Sequence, residues 1–288
     1  MSIFNTYDLK IARPDIFQQL SVKDMLFVYY ICPQVEKVIK LFTHFNEIAF
    51  TLSGKKTLHH KGKSWTLTEN SSLFIRKTAY SQEMYVAQGW EVLAFYFQDD
   101  FLRQVFNAYK AWLPIKNLAP PPKEMLMDIH VNDTTRAFFY SMLPYFTQKV
   151  PPADDLLVLK FKELIFNLLV DPENTAFLSY VNSIDGEYKT PIWQIMEANY
   201  MYHLTIPQFA NLASRSVSTF KRDFTDYYHT TPGKWLTVRR LEEAKLLLES
   251  SSKTVSEIAL DVGFENLSHF SRIFREKYGK SPVQYRNQ

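Results

Sequence analysis

The sequence predicts an α+β fold: an N-terminal antiparallel β-barrel with following helices, then a C-terminal all-α domain with two helix-turn-helix motifs. Three observations predict it. Ser218, Phe220, Arg222, Phe224, Tyr228 and Pro232 recur fifty residues on as Ser268, Phe270, Arg272, Phe274, Tyr278 and Pro282, and Thr231 before the first proline is answered by Ser281 before the second. Short runs rich in β-branched and aromatic residues, at about ten-residue spacing, occupy the first hundred residues. Longer stretches with the helical period then follow, ahead of the doubled motif.

In the N-terminal part, strands are expected at 26–31, 47–52, 57–60, 65–68, 73–76, 84–86 and 92–97. Turn signals separate them: Ser53-Gly54, Lys61-Gly62-Lys63, Glu69-Asn70 and Gln88-Gly89. Many short strands evenly spaced suit a small barrel or jelly roll. Phe101, Leu102, Val105, Phe106, Tyr109 and Leu113 then form a helical stripe behind an Asp99-Asp100 cap. A second helix is expected at 134–149, interrupted by Pro144, and a third at 156–170 that is apolar on nearly all sides. A helix apolar all round is buried, either within its own domain or by a second subunit. The domains are therefore 1–170, a connector at 171–190 containing a short helix at 174–183, and 191–288.

In the C-terminal part, Pro191 opens a helix carrying Ile192, Ile195, Met196 and Tyr200. Thr205-Ile-Pro-Gln208 is a T-x-x-Q start, in which a hydroxyl caps the helix and the side chain three residues on bonds back. The stripe Phe209, Leu212, Ala213 breaks at Ser214-Arg215, and a second helix runs from 216 to 228, burying Phe220, Phe224 and Tyr227. Thr231-Pro232 starts a helix reaching about residue 249. The second copy opens on the T-x-x-E box Thr254-Val-Ser-Glu257, turns at Gly263, and continues as a helix over 266–278 with Phe270, Ile273 and Phe274 inward. In such a unit the second helix enters the major groove, leading with its N-terminal residues.

Residues from about Thr190 to Arg286 resemble the DNA-binding domain of the AraC/XylS family of bacterial transcription regulators. The stretch that carries the resemblance furthest is Val255-Ser-Glu-Ile-Ala-Leu-Asp-Val-Gly-Phe-Glu-Asn-Leu-Ser-His-Phe-Ser-Arg-Ile-Phe-Arg-Glu-Lys-Tyr-Gly-Lys-Ser-Pro-Val-Gln-Tyr-Arg286. The first motif departs from the family pattern at Ser214-Arg215, where glycine or a hydrophobic residue is usual. The resemblance implies base and phosphate contacts from Ser218, Thr219, Lys221 and Arg222 in one recognition helix, and from Leu267, Ser268, His269 and Arg272 in the other. Arginine can pair with guanine O6 and N7, whereas leucine can meet only a thymine methyl. Singly, Arg222 and Arg272 would be ordinary surface charges; matched within a doubled motif, they point to DNA. His269 suits either a base contact or the capping of a neighbouring carbonyl.

The N-terminal half, from Glu47 through His59-His60 to Leu73–Tyr80, resembles the cupin-type sensor domain that precedes the reading heads in AraC relatives, the ExsA-like branch in particular. The resemblance implies a cupin-like barrel that binds a small effector, dimerises or receives a partner protein. The expected function is a sequence-specific regulator, an activator reading two major-groove half-sites and gated by a small effector. The alternative is gating by a protein partner or by dimerisation, with no small ligand. Promoter DNA, RNA polymerase, an unidentified effector or regulatory protein, and a second copy of the chain are the implied partners. A barrel interior filled by large aromatics would favour protein contact, and a cavity with a few convergent polar groups would favour a ligand.

Composition points the same way. From Thr190 onward there are 13 Lys and Arg against 10 Asp and Glu, while the first 189 residues balance at 20 and 20. With so weak a basic excess, the placement of Arg215, Lys221, Arg222, Lys234, Arg239, Arg240, Arg272 and Arg275 must matter more than the total. No apolar run suits a membrane span and no basic segment precedes an apolar start, so a cytoplasmic protein is expected. Cys32 is the only cysteine and is expected as a buried thiol. His59 and His60 are adjacent and would face opposite sides of a strand, so they cannot share a metal from one wall, and His44, a possible third ligand, does not make up for that. No glycine pair has phosphate-loop spacing, and no nucleophile–base motif stands out. Neither catalysis, nor a metal, nor a cofactor is expected.

Overall fold

The computed structural model describes residues 3–32, 36–85, 89–185 and 191–286. The chain divides into two compact units, Phe4–Lys189 and Thr190–Gln288, the latter grouped with Met1–Ile3 so that the boundary falls within the first strand; the other division lies inside the segment expected as a connector.

The first unit contains the strands β1 (Ile3–Asn5), β2 (Gln18–Val22), β3 (Met25–Ile31), β4 (Val38–Thr43), β5 (Asn46–Gly54), β6 (Lys56–His60), β7 (Lys63–Leu67), β8 (Ser72–Ile75), β9 (Thr78–Met84), β10 (Trp90–Phe97) and β11 (Leu126–Ile129), with helix α1 (Thr6–Ala12) after β1. They form two antiparallel sheets, ordered β1-β4-β9-β6-β7 and β11-β8-β5-β10-β3-β2. The sheets face each other without closing into a barrel, because no strand pairs across from one sheet to the other among the described residues. β10 shows how the layers are made. Leu93, Phe95 and Phe97 point to a core shared with the helices, while Trp90 and Tyr96 point into the space between the sheets. This is the period-2 alternation of a strand with both faces covered.

Expected strands coincide with β3, β5, β6, β7, β8 and β10. The run at 84–86 meets only the end of β9, and Val86 lies outside the described residues. β1, β2, β4, most of β9 and β11 were not expected. β2 and β9 contain Gln18, Gln19, Ser81, Gln82 and Glu83, and such polar strands are held by cross-strand pairing rather than by local composition.

Four helices cover the six-stranded sheet's outer face: α2 (Asp99–Tyr109), α3 (Asp133–Thr147), α4 (Asp154–Val170) and α5 (Thr175–Ser183). Asp99 is not the cap of α2, since Gln98 holds that position. Its carboxylate instead accepts from Lys77 Nζ at 2.7 Å, Asn46 Nδ2 at 2.7 Å and the Tyr180 hydroxyl at 3.1 Å, tying the sheets to α5. α3 runs through Pro144 without interruption; the carbonyl left without an N–H donor is that of Tyr140, an exposed residue that water can serve. α4 buries Leu157, Phe161, Leu164, Ile165, Leu168 and Leu169 within its own unit, yet Leu156, Leu159 and Val170 face outward, Leu159 with 62% exposure. α5 was expected in the connector, but Phe177, Leu178, Tyr180 and Val181 and the following Ile184 all sit in the core. Its apolar face needed a partner, and the sheet supplied it.

The second unit is all helical: α6 (Ile192–Asn199), α7 (Ile206–Leu212), α8 (Val217–Tyr228), α9 (Pro232–Ser250), α10 (Val255–Asp261), α11 (Leu267–Tyr278) and α12 (Pro282–Arg286). Leu241, Ala244 and Leu248 of α9 pack with Ile258, Ala259, Val262, Phe264, Phe270 and Phe274 of the second motif. Among the described residues no helix is long and apolar enough to cross a membrane.

Candidate nucleic-acid interface

Each reading unit is built by the same local devices. The Thr205 hydroxyl accepts from Gln208 N while the Gln208 side chain accepts from Thr205 N, and Thr254 and Glu257 repeat the arrangement. These reciprocal bonds satisfy two of the donors that a helix start leaves unpaired. Both first helices end in the same turn. Arg215 N donates to Ala210 O at 2.9 Å and Ser214 N to Asn211 O at 2.9 Å; Phe264 N donates to Ala259 O at 2.8 Å and Gly263 N to Leu260 O at 3.1 Å. This is the Schellman pattern, which requires a left-handed residue. Ser214 takes that conformation at φ 51° and Gly263 at φ 93°. The departure at Ser214-Arg215 therefore leaves the turn geometry intact. Glu265 is an extra residue in the second turn, so the first helices repeat at 49 residues and the recognition helices at fifty.

The recognition helices α8 and α11 are capped by Ser216, whose hydroxyl accepts from Thr219 N at 3.2 Å, and Asn266, whose side chain accepts from His269 N at 2.8 Å. Phe220, Phe224, Phe270 and Phe274 are buried against their own units. Ser218, Lys221, Arg222, Leu267, Ser268, His269 and Arg272 are exposed and Thr219 is half-buried, so each set of four lies along one outward helix face. Arg222 and Arg272 have side chains 69% and 61% exposed, and among the described residues their charge partners are neighbours on their own helices, Asp223 at 3.2 Å and Glu276 at 2.5 Å. Exposed pairs of this kind are weak and can be exchanged for a phosphate or base edge. The His269 ring stands beside Phe264, with centroids 6.3 Å apart. Tyr227, expected inward, is exposed instead; its neighbour Tyr228 stacks on Phe224 with centroids 4.6 Å apart, because it lies four residues on along the same helix face.

Three basic residues from the charge pattern serve the fold rather than a ligand. Arg215 is 10% exposed and donates to Asp223 at 3.2 Å and to the Ala213 carbonyl at 3.0 Å. Arg239 pairs with Glu197 and Glu243 and lies over the Tyr200 ring. Arg240 donates to the carbonyls of Tyr200 at 2.7 Å, Tyr202 at 2.9 Å and Gly263 at 3.0 Å. Burial lowers its pKa to about 10, so it stays charged at neutral pH. It thus joins the segment after α6 to the turn of the second motif through the connecting helix α9. Sequence composition could not separate these three from Lys221, Arg222 and Arg272, since all are basic residues at helical positions.

The first unit holds a cavity of about 130 Å³ between its sheets. Aliphatic walls from Leu41, Leu58 and Ile75 meet polar groups from Lys10, Glu47 and Tyr80. Phe50, Phe74, Phe95 and Phe97 face the helices and leave this space open. His59 and His60 do face opposite sides: His59 bonds Ser64 at 2.7 Å and Glu83 at 3.3 Å, while buried His60 lies 3.4 Å from the Thr78 hydroxyl. His44 lies 2.7 Å from Asn5 Nδ2.

Two helix-turn-helix units that follow a sheet-built domain are the architecture of a DNA-binding transcription regulator with an N-terminal regulatory domain. Comparison with known proteins places it further. The family model of the ExsA N-terminal regulatory domain matches residues 46–180, and that of a helix-turn-helix domain matches residues 209–288. The chain belongs to the AraC/XylS family of transcription regulators. It is 23% identical over 254 residues to the thermoregulatory protein LcrF of Yersinia pestis, covering 88% of this chain and 93% of that one. It is 23% identical over 251 residues to the virulence regulon transcriptional activator VirF of Yersinia enterocolitica, covering 86% and 92%. The structure of ToxT from Vibrio cholerae with an unsaturated fatty acid bound aligns at 14% identity and a TM-score of 0.41, covering 93% of this chain and 96% of that one.

Proposed function

We propose that the protein is a promoter-binding activator that reads two successive major-groove half-sites with α8 and α11, and that a small effector in the first unit gates it. The observation that carries the first part is the repetition of one capped, Schellman-turned unit, with matched exposed arginines at the same place in each. In this reading Ser218, Thr219, Lys221 and Arg222 contact one half-site, and Leu267, Ser268, His269 and Arg272 the other. α9, at about 1.5 Å per residue over 19 residues, spans roughly 28 Å, a length suited to half-sites one turn of duplex apart. VirF is named a transcriptional activator, and an activator here would have RNA polymerase as a further partner. The cavity with convergent polar groups supports the effector.

Selection of duplexes from a random pool by the full-length protein tests this. A preferred motif spanning two half-sites about 10 base pairs apart is expected; a single short half-site, unaffected by Arg222→Ala, would refute bipartite reading. A second reading, gating by a protein partner or by dimerisation, is favoured by the outward Leu156, Leu159 and Val170 on α4. Sedimentation of the chain with Leu159→Glu separates the two, since only the second reading expects loss of both assembly and DNA response.

A further inference from the structure

We infer that the cavity between the sheets of the first unit is a site for a small zwitterion of the α-amino acid class, its carboxylate held by Lys10 and its ammonium by Glu47. The inference deepens the effector reading above and rests on it for any consequence at the DNA, but not for the binding itself.

Two opposite charges line one cavity without forming a direct ion pair among the described residues. Lys10, on α1, is buried, and its Nζ lies over the rings of Phe17 and Tyr30 at 4.2 and 4.0 Å from their centroids. Glu47, on β5, is also buried; the Tyr96 hydroxyl donates to its carboxylate, and its Oε2 has no hydrogen-bond partner among the described residues. Neither residue has an opposite charge within 4.0 Å among the described residues. A buried charge without a direct ion-pair or hydrogen-bond complement is strongly destabilising, so two opposite ones facing a common cavity call for a group between them. Burial pushes Glu47 up to about 7 and Lys10 down to about 8; each feels the other's charge across the cavity, but without direct contact that attraction does not offset the loss of water. A ligand carrying both an anion and a cation supplies each with what it lacks, whereas a simple carboxylate would leave Glu47 facing a like charge.

The neighbouring lysine does not line this cavity: Lys56 Nζ lies 3.2 Å from Cys32 Sγ and 3.5 Å from the Trp90 ring centroid. Size narrows the class. An apolar cavity of about 150 Å³ holds benzene, and about 130 Å³ here suits an amino acid with a small aliphatic side chain against Leu41, Leu58, Leu67 and Ile75. An indole side chain or a long acyl chain exceeds it.

Calorimetric titration of the full-length protein without DNA, using L-valine, isobutyrate, isobutylamine and isobutyramide as probes, tests the assignment. Valine is expected to bind at least about tenfold more tightly than any of the other three. Lys10→Met should weaken valine by about tenfold or more and leave isobutylamine little changed; Glu47→Gln should weaken valine equally and leave isobutyrate little changed. Should Lys10→Met fail to fold, Glu47→Gln, which only removes a buried charge, retains the test. Isobutyrate binding as well as valine, indifference of valine to Glu47→Gln, L-tryptophan binding as well as valine, or silence of all probes at about 10 mM would each overturn the inference. Valine binding that left the DNA footprint unchanged would uphold the site and refute the gating role proposed above.

Discussion

Ser214 and Gly263 occupy the same place in the two turns but not at the same energetic level. A side chain at positive φ is strained, and serine carries one at φ 51°. Ser214→Gly should therefore stabilise the second unit by up to about 1 kcal/mol, read as a higher urea midpoint. Gly263 allows no reverse change: a Cβ there would stand 2.9 Å from the Met201 carbonyl and 3.0 Å from the Arg240 guanidinium. Gly263→Ala should destabilise by about 2 kcal/mol or more, and no change in the midpoint would mean that the turn is looser than its hydrogen bonds indicate. At the DNA surface, Arg272→Ala should weaken binding by about 1–3 kcal/mol and relax base preference at one position. Equal weakening on every sequence would make Arg272 a phosphate contact. Arg222→Ala should do the same at the other half-site, displaced by about 10 base pairs in footprints.

Among the elements, the capped helices and α9 show where local signals suffice. T-x-x-Q and T-x-x-E boxes name their own partners, because the groups involved lie within one turn of each other. Removing such a cap by Thr254→Ala should lower stability by about 1 kcal/mol, seen as an earlier unfolding midpoint with unchanged cooperativity. β2, β9 and β11 show the opposite case. Their residues alternate or are polar, and what makes them strands is a neighbour distant in the chain, as in the pairing of Leu126–Ile129 with Ser72–Ile75. α5 likewise has an apolar face legible in sequence, but its membership of the first unit depends on the sheet surface it covers. Arg240 belongs to this scale too. Arg240→Met keeps the length of the stem and removes three carbonyl contacts, so bipartite affinity should fall more than that for an isolated half-site. An equal fall on both would show that Arg240 does not set the relation between the heads.

For the whole molecule, the charges buried in the first unit shape its response to pH. Glu47 has a folded pKa of about 7, above its usual carboxylate value, because burial disfavours the ion. Its contribution is present below its unfolded pKa of about 4.5 and is lost as pH rises towards 7. Lys10 and Lys56 have folded pKa values of about 8 and about 7, lowered by burial, so their ammonium forms penalise the fold below those values. That penalty is relieved as pH rises from there towards about 10, by roughly 3–4 kcal/mol for each lysine. Urea unfolding should therefore show the first unit more stable at pH 9.5 than at pH 7.5; a flat profile would mean that water or a ligand already neutralises the cluster. Asp99 works in the other direction: burial opposes its charge, but Lys77, Asn46 and Tyr180 outweigh that and hold its pKa low, so its contribution is lost only in acid.

The sequence by itself determined the two reading units: their caps, turns, buried aromatics and outward arginines are set by residues within one or two helical turns, where spacing translates directly into a shared face. It also determined that the N-terminal half is built of short strands followed by helices. Only the tertiary structure decided which basic residues are exposed and which clamp the fold, since Arg215, Arg240 and Arg272 differ in their neighbours rather than in their kind. Only it decided that the phenylalanines of β5, β8 and β10 face the helices while Lys10 and Glu47 meet across an open space. Those two residues lie 37 positions apart on different elements; the packing of one sheet over the other brings their charges to one cavity, and no local pattern records it.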